Sequence, residues 1–191
     1  LMERAFQEAN ALVVTEFYLV RYGNVLDSTG SVVPLWKKQL AQGLPLTVTD
    51  GGMTRFWLGI ERAVQLVIDA FDVAPGSVLI PILSALSMRK FAAYVFPDAP
   101  LRTIGLRPGE KMHECLLTLE EATRASWRDL HNRGHFVLSS ADTEPFAAHQ
   151  PLFSNTAPEM SQAELLKLLA LPADSLERAV ADVASAAGAR T

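Results

Sequence analysis

Apolar positions recur along this chain with two periods, and the alternation between them predicts a mixed α/β protein. The clearest helical stretch is IERAVQLVIDAF (60–71), where Ile60, Ala63, Val64, Val67, Ile68 and Phe71 share one stripe. Shorter helical patterns cover 1–10 (Met2, Ala5, Phe6 and Ala9), 31–43, 87–96, 109–118 and 161–170. Their boundaries carry chemistry. Ser31 and Ser87 stand as N-caps, Gly43 as a stop, and Pro34 falls in a first turn where a missing N–H costs little. TLEE (118–121) and the start of SQAELLKLLA (161–170) have capping-box spacing.

Between the helices lie runs that read as strands: 11–22, 45–50, 77–82, 101–106 and 135–140. The runs at 11–22 and 77–82 are apolar on both faces, as in a parallel sheet joined by helical crossovers. Residues 141–160 read as a polar loop, and an Ala-rich helical tail begins at Pro172. Repeats and low-complexity blocks are absent from the sequence.

Composition narrows the function classes. With 191 residues, 49% of them apolar, the chain can bury a core of domain size. A net charge of −4 argues against general nucleic-acid binding, which calls for a basic surplus. The lone Cys115 excludes an internal disulfide framework and fits a reducing compartment. No apolar run approaches the ~18–20 residues of a membrane span, and the first residues lack a signal-peptide pattern. The expectation is a cytoplasmic protein with neither nucleic acid nor membrane as partner.

Three stretches place polar groups beside glycine at the ends of buried elements. In RYGN (21–24), Asn24 lies beyond a strand end, where open α/β sheets bind ligands. Gly23 would let a ligand approach the backbone; a plain Gly-Asn turn is the alternative. In TDGGMTRFW (49–57), Arg55 among Met53, Phe56 and Trp57 can present a rigid fork to phosphate, or simply cover apolar surface with its stem. In GLRPGEKMHE (105–114), Arg107 suits a phosphate and Glu110 sugar hydroxyls, at a turn leading into a helix whose N-terminus favours anions. A solvated turn with a surface ion pair competes with that reading.

Other constellations are weaker. His131 and His135 have i, i+4 spacing, but Gly134 and a strand onset break the helix a metal site would need. His113 and Cys115, at i, i+2 of an expected helix, point to different faces. The sequence contains no Gly-rich phosphate loop, H-E-x-x-H or G-x-S-x-G.

Together, VRYGNVLDSTGSVVPLWKKQL, PLTVTDGGMTRFWLGIERAVQLV and IGLRPGEKMHE resemble the nucleotide-sugar 4,6-dehydratases of the extended short-chain dehydrogenase/reductase superfamily. The branch resembled is that of the UDP-N-acetylglucosamine dehydratases of capsule and polysaccharide biosynthesis, and PLFSNTAPEMSQAELLKLL (151–169) resembles its C-terminal segment. The resemblance implies that Asn24 contacts the diphosphate or sugar and that Val33, in GSVVP, lines the nucleotide pocket. It implies that Arg55 lies near the diphosphate, and that Arg107 and Glu110 meet phosphate and ribose. The family reaction oxidises C4 of the sugar, eliminates water across C5 and C6, and returns hydride to C6, with NADP recycled.

Family members begin with a Rossmann half that carries a G-x-x-G-x-x-G turn and a catalytic Tyr-x-x-x-Lys pair. Neither motif occurs in these 191 residues. The resemblance therefore implies the C-terminal part of such an enzyme, with the last Rossmann-type parallel strands and the small mixed α/β substrate-binding subdomain. Residues 1–23 would end the Rossmann domain. Residues 24–171 would form the substrate region, with 77–96 returning to the Rossmann sheet, and 172–191 the tail. NADP is expected for the full enzyme and none for this chain alone, which on its own is expected to be inactive. The expected partners are a UDP-sugar and either a second copy, through helix 1–10, or a complementing Rossmann half.

Departures from the family pattern keep other readings open. Asp27-Ser28-Thr29-Gly30 replaces the usual Gly-Ser-Arg-Gly and removes positive charge, Gly52 replaces a larger residue, and IPILSALSMRK is unusually apolar. The alternatives are a degenerate UDP-sugar-binding module, a 5,6-dehydratase or epimerase, and a non-functional fragment that aggregates through the apolar faces of 12–20 and 77–82.

Overall fold

The computed structural model describes residues 2–10, 12, 14–139 and 150–169. The Ala-rich tail, residues 141–149 of the polar loop and residue 140 of the strand expected over 135–140 lie outside the described residues. Helix α1 (Met2–Asn10) forms as its periodicity predicts but buries none of its residues. The run at 11–22 does not become a long buried strand. Only β1 (Leu19–Val20) pairs, because Asn10 Oδ1 takes the Phe17 N–H and the Phe17 carbonyl accepts from Gly76. Val14 is fully exposed.

Next come β2 (Asn24–Val25), α2 (Val32–Ala41), β3 (Leu46–Val48) and β4 (Thr54–Leu58). Helix α2 is fastened to β3 by its own side chains. Trp36, wholly buried, donates from Nε1 to the Thr47 carbonyl at 2.8 Å, and Gln39 bonds both the Thr47 hydroxyl and its N–H. Gly43, at φ 68°, turns the chain out of the helix.

Helix α3 (Ile60–Asp69) continues into a 3-10 turn at Ala70–Asp72. Its buried face differs from the expected stripe: Ala63, Leu66, Asp69 and Ala70 face inward, while Val67 and Phe71 are exposed. Asp69 tolerates full burial because Arg62 and Gln65 donate to its two oxygens at 3.1 and 2.8 Å. It also faces His135, likewise fully buried, whose pKa is lowered by burial and by the Arg62 guanidinium.

The chain proceeds through β5 (Val78–Pro81), β6 (Ala85–Ser87), α4 (Met88–Val95) and β7 (Leu101–Thr103). Ser87 caps α4 as expected, accepting from Lys90 N at 3.3 Å. The helix expected over 109–118 does not form. Gly109 turns at φ 81°, the Met112 carbonyl accepts from Thr54 N, and β8 (Cys115–Leu117) pairs sideways. Backbone groups committed to neighbouring strands cannot close i to i−4 bonds.

Helix α5 (Leu119–Ala122) opens with a complete Thr118–Glu121 capping box. Strands β9 (Ser126–Leu130) and β10 (Arg133–Leu138) form a hairpin whose two turn residues, His131 and Asn132, have φ of 54° and 59°. β11 (Leu152–Phe153) and α6 (Gln162–Leu169) complete the described chain.

The main sheet has the order β1-β5-β10-β9, with β1 and β5 parallel at Leu19↔Val78 and the remaining pairs antiparallel. A second sheet, β2-β4-β6, has β2 and β4 parallel; β3 and β7 also pair parallel, and β8 pairs antiparallel with β11. The α/β class with parallel strands and crossovers is therefore what the pattern predicts. β5 is central, with all four residues buried, so of the run 77–82 only Ile82 is exposed. One core packs α3, β5 and β10 together; the other gathers Trp36, Trp57, Phe91, Met160 and Leu165 around α2 and α4.

Candidate functional site

The carboxyl ends of the parallel strands β2 and β3, the start of α2 and the loop after β7 surround a cavity of about 470 Å3. That size suits a small-molecule ligand. Asn24, Arg55, Arg107 and Glu110 all line it, so the fold gathers four residues separated by as many as 86 positions. Val33 is not in this wall. Its side chain is 1% exposed in the core, and its neighbour Val32 lines the cavity instead.

Arg55 sits on β4 with most of its fork engaged. Nη1 donates to the carbonyls of Thr54 and Met112 at 2.8 and 3.2 Å, Nε lies 3.6 Å from Glu114, and Nη2 lies 3.9 Å from Glu110. Two carboxylates thus offset its charge. Glu110 accepts from the Thr49 hydroxyl at 3.1 Å and from Arg107 N at 3.3 Å, closing the RPGE turn upon itself. Arg107 is exposed and makes no ion pair with another described residue, so its guanidinium is available to an anion. The anion-favouring helix start expected at 109–118 is absent. The N-terminus of α2, with Ser31 as its cap, faces the cavity instead.

Two polar atoms at this wall lack partners. Ser31 Oγ and Trp57 Nε1 are buried without a hydrogen bond to any described residue. Asp27, expected to weaken the positive field, faces Lys37 at 3.6 Å instead and is not a wall residue.

Glu114 is the residue that sequence reasoning left without a role. Its carboxylate accepts from Asn24 Nδ2 and from Phe56 N, and its backbone N–H donates to Ser154 Oγ at 2.8 Å. Ser154 and Thr54 share a further contact of 2.7 Å, and Thr54 Oγ1 lies 2.8 Å from His113 Nδ1. The motif GLRPGEKMHE contains Glu114, but an expected helix hid its direction. The same error places His113 and Cys115 on different faces, whereas in the observed extended chain alternate residues share one. Burial, with the Glu121 carboxylate adding to it, pushes the Cys115 thiol pKa up, away from the thiolate form that a nucleophile needs. No group of three His, Cys, Asp or Glu residues able to hold a metal occurs among the described residues.

The sequence over residues 1–133 matches the profile of a family described as polysaccharide biosynthesis protein. The chain belongs to that family. Over 110 residues it is 39% identical to the inverting UDP-N-acetylglucosamine 4,6-dehydratase of Campylobacter jejuni subsp. jejuni serotype O:23/36 (strain 81-176), covering 56% of this chain and 33% of that protein. It is 37% identical over 133 residues to a UDP-glucose 4-epimerase of Rickettsia bellii (strain OSU 85-389), covering 67% of this chain and 38% of that one. The chain thus spans about a third of the length of these curated relatives. Among solved structures, Pen from Bacillus thuringiensis superposes with a TM-score of 0.75 at 29% identity, covering 87% of this chain and 54% of Pen. Membership in the polysaccharide biosynthesis family agrees with the resemblance read from the three motifs. No described helix is long and apolar enough to cross a membrane.

Proposed function

We propose that this chain binds the UDP-sugar of a nucleotide-sugar dehydratase of polysaccharide biosynthesis, similar to the UDP-N-acetylglucosamine 4,6-dehydratases. The observation that carries the reading is the convergence of Asn24, Arg55, Arg107 and Glu110 on one cavity. The guanidinium of Arg107, which makes no ion pair with another described residue, and the start of α2 supply attraction for the diphosphate, and the carboxylate of Glu110 suits ribose hydroxyls.

These residues bind and orient; the redox step is assigned to none of them. NADP is the cofactor expected for the complete enzyme, and the described residues contain no Gly-rich turn before a helix that would hold its pyrophosphate. The paired glycines Gly51 and Gly52 lie between two strands rather than before a helix, and a Cβ at Gly51 would meet the Arg89 side chain at 3.2 Å.

A related epimerase is the second reading, favoured by the similarity to a UDP-glucose 4-epimerase. In the complete enzyme the two differ by mass: a dehydratase product has lost water, while an epimerase product is isomeric with its substrate.

Calorimetric titration with UDP and UDP-N-acetylglucosamine tests the binding role. Both are expected to bind, and Arg107→Ala is expected to weaken both by about 10–100-fold, the worth of a charge-assisted hydrogen bond. A folded chain that ignores UDP would overturn the proposal.

A further inference from the structure

The amide of Asn24 is oriented by groups that can only accept. Its Nδ2 lies 2.9 and 3.1 Å from the two carboxylate oxygens of Glu114 and 3.2 Å from the carbonyl oxygen of Phe56. A primary amide carries two N–H donors and one acceptor oxygen. One donor is taken by the carboxylate and the other by the carbonyl. Turning the amide over would aim Oδ1 at three oxygens without a proton among them. Asn24 therefore offers the cavity its Oδ1, an acceptor.

Glu114 is itself held in place. Phe56 N donates to Oε2 at 3.0 Å, Arg55 Nε lies 3.6 Å from Oε1, and the Glu114 backbone is clamped on both sides by Ser154. The contacts follow one another along the wall: Asn24 to Glu114, Glu114 to Arg55, Arg55 to Glu110, Glu110 to the Arg107 N–H. Asn24 stands at one end of this series and Arg107 at the other. Phosphate oxygens only accept at neutral pH, so they match Arg107 and repel Asn24 Oδ1.

We propose that Glu114 is a positioning residue that fixes Asn24 as an acceptor, so that Asn24 reads a hydroxyl or amide N–H of the sugar and takes no part in holding the diphosphate. This rests on the nucleotide-sugar reading above. It narrows the sequence expectation, which left Asn24 facing either diphosphate or sugar. Glu114 acts through Asn24 and does not itself touch the ligand.

The test is the ratio of UDP-N-acetylglucosamine to UDP affinity in the chain, in Asn24→Ala and in Glu114→Gln. The glutamine amide can donate to Asn24 Oδ1 and so releases the flip. The ratio is expected to fall about tenfold in both variants, the worth of one hydrogen bond. Glu114→Gln also removes a counter-charge from Arg55, so its UDP affinity is expected to hold or rise, which general structural damage would not produce.

Equal weakening of UDP and UDP-N-acetylglucosamine, with the ratio unchanged, overturns the proposal while leaving the nucleotide-sugar reading intact. Failure of the folded chain to bind UDP overturns both. The unmutated chain supplies a measurement that needs no variant to fold: the Asn24 side-chain amide protons in a 15N spectrum. They are expected to exchange slowly and keep their positions when UDP is added. A large shift of that pair with UDP alone overturns the proposal.

Discussion

A Cβ placed on Gly23 would lie 2.6 Å from the Phe56 carbonyl oxygen. That contact, and not access for a ligand, is what glycine provides here: it lets the end of one strand press against the next. The same Phe56 carbonyl receives Asn24 Nδ2, and the Phe56 N–H holds Glu114. Gly23→Ala is expected to cost about 1–3 kcal/mol of stability, as overpacking does where backbone must move. It should also weaken UDP-sugar binding, by disturbing the Asn24–Glu114 contact. Urea unfolding followed by fluorescence measures the first effect and calorimetry the second. RYGN was legible as a place where glycine and asparagine act together. The reason for the glycine was not, because its neighbour lies 33 residues away in sequence.

At the scale of the element, α1 shows how a helix with no buried residue stays docked. Arg21 reaches Glu3 through Nε and Nη2 at 2.7 and 2.6 Å and Glu121 through Nη1 and Nη2 at 2.9 and 2.7 Å, so one guanidinium joins α1 to α5. Gln7 adds a bond to the Gly76 carbonyl, and the rings of Phe6 and Phe17 meet at a tilt with centroids 5.2 Å apart. Arg21 holds the Glu121 carboxyl down to about 2, from 4.5 when free. The folded value lies below the unfolded one, so the unfolded state takes up the proton first. The stabilisation is complete above about pH 4.5 and disappears as the pH falls towards 2. Denaturation midpoints measured from pH 6 to 2 should show this loss. In Arg21→Ala the step should shrink, and amide exchange across residues 2–10 should accelerate as α1 comes loose. The helix itself was readable from its amphipathic pattern, whereas the guanidinium that anchors it was visible only as part of a motif.

For the whole molecule, the segment from 150 to 169 closes both cores, although the family match ends at residue 133. Leu152 pairs with Leu117, Met160 N donates to the Ala85 carbonyl at 3.0 Å, and Lys90 grips Glu159 at 2.6 Å. Met160 and Leu165 are 1% and 0% exposed beside Trp36 and Phe91. Ser154, from the same segment, supports Thr54 and Glu114 behind the cavity. Leu165→Ala and Met160→Ala should each cost about 2–5 kcal/mol, as buried large-to-small changes do. Chemical denaturation is the direct check, and a change within error would mean that this segment is not part of the cooperative core.

By itself the sequence determined most of the helices, 109–118 excepted, and the chemistry of several of their ends. The capping box at Thr118 and Glu121, the Ser87 cap and the Gly43 stop all stand where local pattern puts them. Helical bonds join residues four apart, so a short window contains both partners. It also determined the order of the three motifs, and with it the family; of the five site residues expected from them, four meet at the cavity. Tertiary structure alone decided the rest. The strands β1, β2 and β11 are two residues long and exist only because a distant segment supplies their bonds. The turn of the chain put Val32 at the wall and Val33 in the core, and packing against the sheet turned Leu66 and Asp69 of α3 inward. Pairing with β4 and β11 drew 112–117 out of a helix and aimed Glu114 at Asn24, 90 residues away. Contacts of that range depend on register and packing between remote segments, which no local window contains.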